Sequence, residues 1–412
     1  MRASKEGPLA PHPTNRYPPH IMKLASIATR LATLGSDKWA VHIEGKRRRA
    51  AGEKLIFLSI GEPDLAPPQA LLDEARNSIR MGRLGYSPGT GDIALCKSLS
   101  RFYTKQTGRN IGPKQFLFVP GTQTGLSLAF LSILESGDEV LMFDPYYATY
   151  EAVVTAPGGV PVAVKLDPDR GFHPDITALE KAVTAKSKAI LLNSPSNPTG
   201  AVFTPSEIRA IGDIAIKHDL WIVSDEVYAT QIHDGHSFSS PFFHKDLEER
   251  TIVVSSISKS HAVPGFRCGW MAGSVDYCEK VLPVTETMLF GSQPFLEDAL
   301  AFALDHEFAE TNAMRDAYWT RGKALVEGLQ ASNKVQARMP EGGMFVMVDV
   351  RATGLSGDAF ARKLLGEHNV VTMPGESFGA GGAGHLRVAL TVDEATMAEA
   401  ARRIVTLAAS LS

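Results

Sequence analysis

What this 412-residue chain has little of narrows it first. Its cysteines are Cys96, Cys268 and Cys278, an odd number without metal-ligand spacing. Neither a disulfide framework nor a zinc site is expected, and free thiols in a reducing, cytoplasmic setting are. The formal net charge is −3. That leaves no basic excess for a nucleic-acid backbone or an anionic membrane, so neither is an expected partner. No apolar run approaches the length of a spanning helix. Residues 1–20, MRASKEGPLAPHPTNRYPPH, have no apolar signal core. Their prolines point to an extended arm, flexible or laid over a neighbouring subunit. No internal repeat is visible. A hydrophobic content of 44% over 412 residues exceeds one ordinary core and predicts a large domain with a smaller one.

What is present is a series of short apolar runs separated by amphipathic stretches. Strands are expected at FLFVPG (116–121), EVLMFDP (139–145), VPVAVKL (160–166), AILLNSP (189–195), LWIVSDE (220–226), TIVVSSIS (251–258) and CGWMAGS (268–274). They lack a clean alternation of period two, as strands covered on both faces do. The alternation with helices predicts an α/β domain built on a mainly parallel sheet. A long helical stretch is expected from about Phe295 to Ala331, followed by strands in GGMFVMVDV and GHLRVAL and a second, α+β domain. The expected division is an arm at 1–20, small-domain residues at 21–60, a large domain at 61–300, an interdomain helix at 301–330 and the rest of the small domain at 331–412. Ligands of such sheets sit beyond the carboxyl ends of the strands, and the polar clusters fall there.

VPGTQTGLSLAF (119–130) follows a strand and opens a helix, where Gly121, Thr122 and Gln123 would turn backbone N–H groups toward an anion. Read alone, Thr122 is an ordinary helix cap. NSPSNPTG (193–200) is a polar turn, and Asp225 of SDEVY is by itself a capping carboxylate or the partner of a buried cation. Lys259 closes the TIVVSSIS run. A desolvated lysine there has a depressed pKa and is a nucleophilic amine, although most single lysines are surface groups. Arg267 and Arg387 lie beside apolar runs, placed to take a carboxylate or phosphate through paired hydrogen bonds, or to form structural ion pairs. Together these residues describe a site for an anionic, carbonyl-bearing aromatic cofactor and a carboxylate substrate. Pyridoxal phosphate has these requirements.

From about Ile60 to Val388 the ordered motifs GEPD, GYSPGTG, PGTQTG, DPYYATY, NSPSNPTG, SDEVY, SSISKSHAVPGFR and HLR resemble the class I/II aminotransferases, of the fold-type I pyridoxal-phosphate enzymes. The resemblance implies that Lys259 holds the cofactor and moves the substrate proton, and that Asp225 keeps the ring nitrogen protonated. It implies that Tyr228 and Asn197 bond the ring's phenolic oxygen and that Tyr147 stacks on the ring. Gly121, Thr122, Gln123, Ser256 and Arg267 match the phosphate cup, and Tyr86 matches a tyrosine that reaches the other subunit of a homodimer. Gly61, Asn197 and Arg387 match the groups around the substrate carboxylate. Asp144–Pro145 and Asn197–Pro198 fall where cis peptides are expected. The implied reaction is a ping-pong transfer of an α-amino group from an L-amino acid to a 2-oxo acid.

SKSHAVPGFR, MLFGSQPF and GGMFVMVDVRATGLS look like arginine–pyruvate transaminase-like members of that group. Val281–Leu300 has no arginine or lysine, and Gln123 stands where a dicarboxylate-specific branch has lysine. Glu286 and Glu297 are candidate acids for a basic donor, although a solvated helix face is the simpler reading. An aspartate or broad-specificity aminotransferase and a β-lyase on the same scaffold are the alternatives. GAGGAG (379–384) precedes a strand instead of following one into a helix, so it reads as a loop and not a dinucleotide site. GTGDIALCKS (89–98) lacks the glycine a phosphate loop needs. His233 and His236 read as surface histidines, and His261 has no assigned role.

Overall fold

A computed structural model describes residues 24–32, 34 and 37–411. The arm expected at 1–20 lies outside the described residues. Seven strands form the large sheet: β1 (Phe116–Val119), β2 (Glu139–Asp144), β3 (Val160–Lys165), β4 (Ser187–Asn193), β5 (Trp221–Asp225), β6 (Thr251–Ser256) and β7 (Gly269–Ala272). Their order is β1-β7-β6-β5-β4-β2-β3. Strand β7 runs antiparallel to both its neighbours, and every other pair is parallel. Strands β1, β6 and β7 are buried at every position because helices cover both faces, which is why they show no alternation. Register sets Asn193 opposite Asp225 and Asp225 opposite Val254. The carboxyl ends of β4, β5 and β6 therefore form one edge.

A smaller body lies against that edge. Strand Phe345–Asp349 pairs antiparallel with His385–Ala389, flanked by Met373–Pro374 and Gln336–Ala337. Ile56–Phe57 pairs with Val370–Val371, and Val41 and Leu58 join the same apolar core as Phe345, Leu386 and Ile404. Helix Ala309–Leu329 is tied to the GEPD segment by a two-point pair between buried Arg321 and exposed Asp64: Arg321 Nη1 and Nη2 each lie 2.8 Å from an Asp64 carboxylate oxygen.

Three expectations are corrected. The single helical stretch at 295–331 is two helices, Pro294–Asp305 and Ala309–Leu329, because His306 and Phe308 have extended backbones. The buried Phe308 ring fixes that break, packing 5.5 Å from the His261 ring and 5.9 Å from Phe302. Glu297 is not solvated: it is fully buried, with its Oε2 accepting the Asp92 N–H at 2.6 Å. His233 is not a surface residue either. Ile232 bridges Gly342 and carries the imidazole inward onto Trp319, 5.3 Å between ring centres.

Neither His233 ring nitrogen reaches a partner at bonding geometry. Burial pushes its pKa down to about 4, opposed by the Gly343 backbone and less by Asp234, and aided by Arg315 and His236. The unfolded chain then binds the extra proton between about pH 6.5 and 4, so stability is lost as pH falls through that window. The loss from this residue over that window is about 3 kcal/mol. His233→Phe keeps the ring stack and removes the titration. Urea midpoints at pH 7.5 and 5 should differ less in the variant than in the parent; an equal difference would remove His233 as the cause.

Candidate active site

The site is assembled from strand ends. Beyond β1 the chain turns at Gly121 (φ +81°) into helix Thr122–Ile133. A methyl group at Gly121 would lie 2.3 Å from Arg267 Nη2, so only glycine admits the guanidinium. Thr122 does not cap this helix. Gly121 is the cap residue, without a side-chain bond, and Thr122 Oγ1 instead donates to Ser256 Oγ at 3.0 Å. The first N–H groups are left facing the cavity beside Arg267, an anion cup by both dipole and charge. Arg267 is held there by Nη1 to Pro264 O (2.9 Å) and Nη2 to Pro120 O (3.2 Å).

Asp225 ends β5 and is buried. Its Oδ2 accepts the Tyr150 hydroxyl at 2.7 Å and its Oδ1 accepts the Val227 N–H at 3.2 Å. Burial outweighs both bonds and pushes the carboxyl up to about 6. Tyr228 is buried beside it. Asn193 Nδ2 donates to the Asp225 carbonyl at 3.0 Å, and Asn193 Oδ1 accepts the Asn197 N–H at 2.8 Å. The NPTG turn is thereby locked to β5. The Asp144–Pro145 and Asn197–Pro198 bonds are cis, and so is Ser194–Pro195, which the sequence did not single out.

Lys259 sits in the helical turn Ile257–Ser260 directly after β6. Gln231 Nε2 anchors its carbonyl at 3.0 Å, and its ammonium donates to Gly61 O at 2.6 Å. Burial lowers its pKa to about 8; Glu62 pulls it up, while Arg387 and Arg267 push it down. Gly61 passes so close to Phe345 that a methyl group would lie 2.2 Å from the ring.

Arg387 stands mid-strand and is buried. Nη1 donates to Asn197 Oδ1 at 3.0 Å and Nη2 to Ser59 O at 2.6 Å, while Nε has no partner. Its guanidinium carbon lies 4.3 Å from the Phe345 ring centre and 4.4 Å from that of Phe378. Among the described residues no carboxylate pairs with it, and burial lowers its pKa to about 10. A buried cation without an anion is costly unless a ligand supplies the charge.

One cavity of about 400 Å³ brings these groups together: Gly61, Thr122, Gln123, Tyr147, Asn197, Asp225, Tyr228, Ser256, Lys259, Arg267 and Arg387 all line it. Tyr86 does not. It is 85% exposed, edge-on to Phe290 at 5.3 Å. The site also uses Tyr150, Asn193, Phe345 and Trp39, which sequence reasoning missed. Tyr150 follows Tyr147 by three residues and Asn193 precedes Asn197 by four, spacings that put each pair on one face of a turn; Trp39 carried no such signal. Two look-alikes are explained. Helix Ile93–Thr107 is capped by Asp92 on the Ala94 N–H at 3.2 Å, so its N-terminus is occupied. His261 bonds Ser260 Oγ at 2.8 Å and lies behind the lysine, not in the cavity.

Among known proteins, the family described as aminotransferase class I and II matches residues 53–404. The chain is 36% identical to an arginine–pyruvate transaminase of Pseudomonas aeruginosa over 95% of this chain and 99% of that protein. It is 32% identical to an aspartate aminotransferase of a Bacillus species over 86% and 92%. The solved structure of the Thermus thermophilus aspartate aminotransferase with maleate superposes with a TM-score of 0.87, at 29% identity, covering 94% of this chain and 100% of that one. With the seven-stranded mixed sheet, the smaller body and the polar strand-end cavity in place, the chain belongs to aminotransferase class I and II and is an aminotransferase.

Proposed function

We propose that the cavity binds pyridoxal phosphate and moves the α-amino group of an L-amino acid to a 2-oxo acid. The observation that carries this reading is the grouping of a buried amine, a buried acid and an uncapped helix N-terminus around one cavity of about 400 Å³. The donor set fits the cofactor. Gly121, Thr122, Gln123, Ser256 and Arg267 would take the phosphate, Asp225 the ring nitrogen, Tyr228 and Asn197 the phenolic oxygen, Tyr147 the ring face and Lys259 the carbonyl carbon. When bound, the cofactor supplies an electron sink for the substrate α-carbon. Lys259 carries the proton from that carbon: its lowered pKa keeps part of the amine unprotonated near neutrality. Gly61 and Arg387 hold the substrate carboxylate, with Asn197 fixing one guanidinium nitrogen. Exposed Tyr86, paired with exposed Phe290, suits a contact with a second copy, as in a homodimer with shared sites. We place the small domain at 21–60 and 331–412, the large domain at 61–300 and the interdomain segment at 301–330, whose helix is Ala309–Leu329.

The cavity's charge supports a donor with one carboxylate. Its cations among the described residues are Lys259, Arg267 and Arg387, and each has a role above. Gln123 is neutral and accepts Thr149 Oγ1 at 3.0 Å. Among the described residues that line the cavity, no side-chain cation remains for a second carboxylate. Glu286 and Glu297 do not line the cavity; Glu62 does. With the arginine–pyruvate relative, this favours arginine as donor and pyruvate as acceptor. The test mixes holoenzyme with each amino acid in turn and follows the loss of the cofactor's visible absorption. Arginine should react at least about tenfold faster than aspartate. Faster reaction with aspartate or glutamate rejects the donor. Ammonia release without a 2-oxo acid acceptor marks a lyase.

A further inference from the structure

The glycine-rich loop at 379–384 has a purpose that the cofactor reading leaves out. Asp144 ends β2 and is 3% exposed. Its Oδ2 accepts the Gly381 N–H at 2.9 Å, and the Ala380 N–H also faces the carboxyl. The loop closes around this side chain. A methyl group at Gly379 (φ +113°) would lie 2.1 Å from Asp144 Oδ1, and one at Gly381 would lie 2.3 Å from Asp144 O. Next to it the Tyr146 N–H donates to Phe378 O at 2.8 Å. The glycines are thus what lets the small body's backbone touch the end of a large-sheet strand.

Both chains leaving this contact go to the cavity. Three residues beyond Asp144 stands Tyr147, on the wall. Just before the loop is Phe378, whose ring centre lies 4.4 Å from the Arg387 guanidinium carbon. Just after it begins His385–Ala389, with Arg387 at its middle. Glu376 inside the turn stiffens the exit, its Oε1 accepting the Gly384 N–H at 3.1 Å and the Gly357 N–H at 2.8 Å.

We propose that Asp144 and the Gly379–Gly381 loop form a catch that sets the Phe378–Arg387 pair against the Tyr147 wall, making Asp144 a positioning residue for the substrate carboxylate. This rests on Arg387 being the carboxylate group of the site. The catch acts on the guanidinium's placement and not on the anion cup, which hangs on β1, β6 and the turn before β7. Its loss is therefore selective. Ligands with a carboxylate suffer, and carboxylate-free amines do not.

The experiment uses holoenzyme variants Asp144→Ala, Gly379→Ala and Asp144→Asn. In the first two, KM for the amino donor should rise about tenfold, the size of one charge-assisted hydrogen bond, with a smaller change in kcat. The rate of reaction with hydroxylamine, which carries no carboxylate, should stay within about twofold, a change worth less than one hydrogen bond. Asn keeps an oxygen for the Gly381 N–H and should restore most of the KM. Unchanged KM in both disruptive variants overturns the catch. So does an equal loss toward donor and hydroxylamine, the mark of a merely structural role. If one variant does not fold, the other decides by the same readouts. Arg387→Lys separates the premise: an unchanged KM there removes the carboxylate assignment itself, whatever Asp144 does.

Discussion

Lys259→Ala is expected to lower turnover by about 10⁴-fold or more while the protein still takes up pyridoxal phosphate. The two halves of that result come from different parts of the site. Uptake depends on the anion cup, and none of its groups touches the lysine side chain: Gly121 and the uncapped helix belong to the β1 end, Ser256 to β6, and Arg267 is held by Pro264 O and Pro120 O. Turnover depends on an amine that both attacks a carbonyl carbon and carries a proton. With a pKa of about 8, roughly a tenth of the Lys259 amine is free base at pH 7, against a negligible fraction for a solvated lysine. Burial is the main cause, and the two arginines of the cavity add to it. Alanine removes the group and leaves its acceptor, Gly61 O, open to water. Borohydride treatment followed by peptide mapping checks the same point in the parent: the label should sit on Lys259. Retained turnover in the alanine variant, or a label on another lysine, would end the assignment.

The sheet was legible because each strand is a short apolar run ended by a polar motif. Burial on both faces removed the alternation that would have signalled a one-sided sheet, and the structure has that burial in β1, β6 and β7. The cavity's charged members were legible for a related reason. Lys259 and Asp225 interrupt apolar context where a strand runs out, and a charge there needs an explanation. What could not be read depends on which distant residue fills a space. Thr122 looked like a cap until the structure showed its hydroxyl spent on Ser256, 134 residues away. Glu297 carries no local sign that the Asp92 N–H would draw it inside. His233 is buried by a bridge from Ile232 to Gly342 and by the ring of Trp319. The helix break at His306–Phe308 follows from where one phenyl ring finds its pocket. Each is a tertiary contact overriding a correct local preference.

Asp225→Asn is expected to cost about 10²–10³-fold in kcat and to weaken the stabilisation that the cofactor gives. Burial pushes the carboxyl up to about 6, above its ordinary 3.8. The folded chain then binds more protons than the unfolded chain between those values, so without a bound cation this residue makes the protein less stable as pH rises through them. Arg387 adds a second uncompensated group in the same cavity. A buried acid and a buried guanidinium in one cavity suit a ligand that brings a cation to Asp225 and a carboxylate to Arg387. A protonated ring nitrogen favours the ionised carboxylate and draws its pKa down, so the cofactor should raise the melting temperature more at pH 7 than at pH 5. Asparagine keeps one oxygen, which can still accept the Val227 N–H, and its amide nitrogen can donate to the Tyr150 hydroxyl oxygen in place of the present bond, so the local fold has little reason to change. It removes the charge and turns one acceptor into a donor. The cofactor-induced rise in Tm should therefore shrink, and its dependence on pH should flatten across the same window. If Asp225→Asn matches the parent in kcat and in that rise, hydrogen bonding is all the residue supplies and the ring-nitrogen role is wrong.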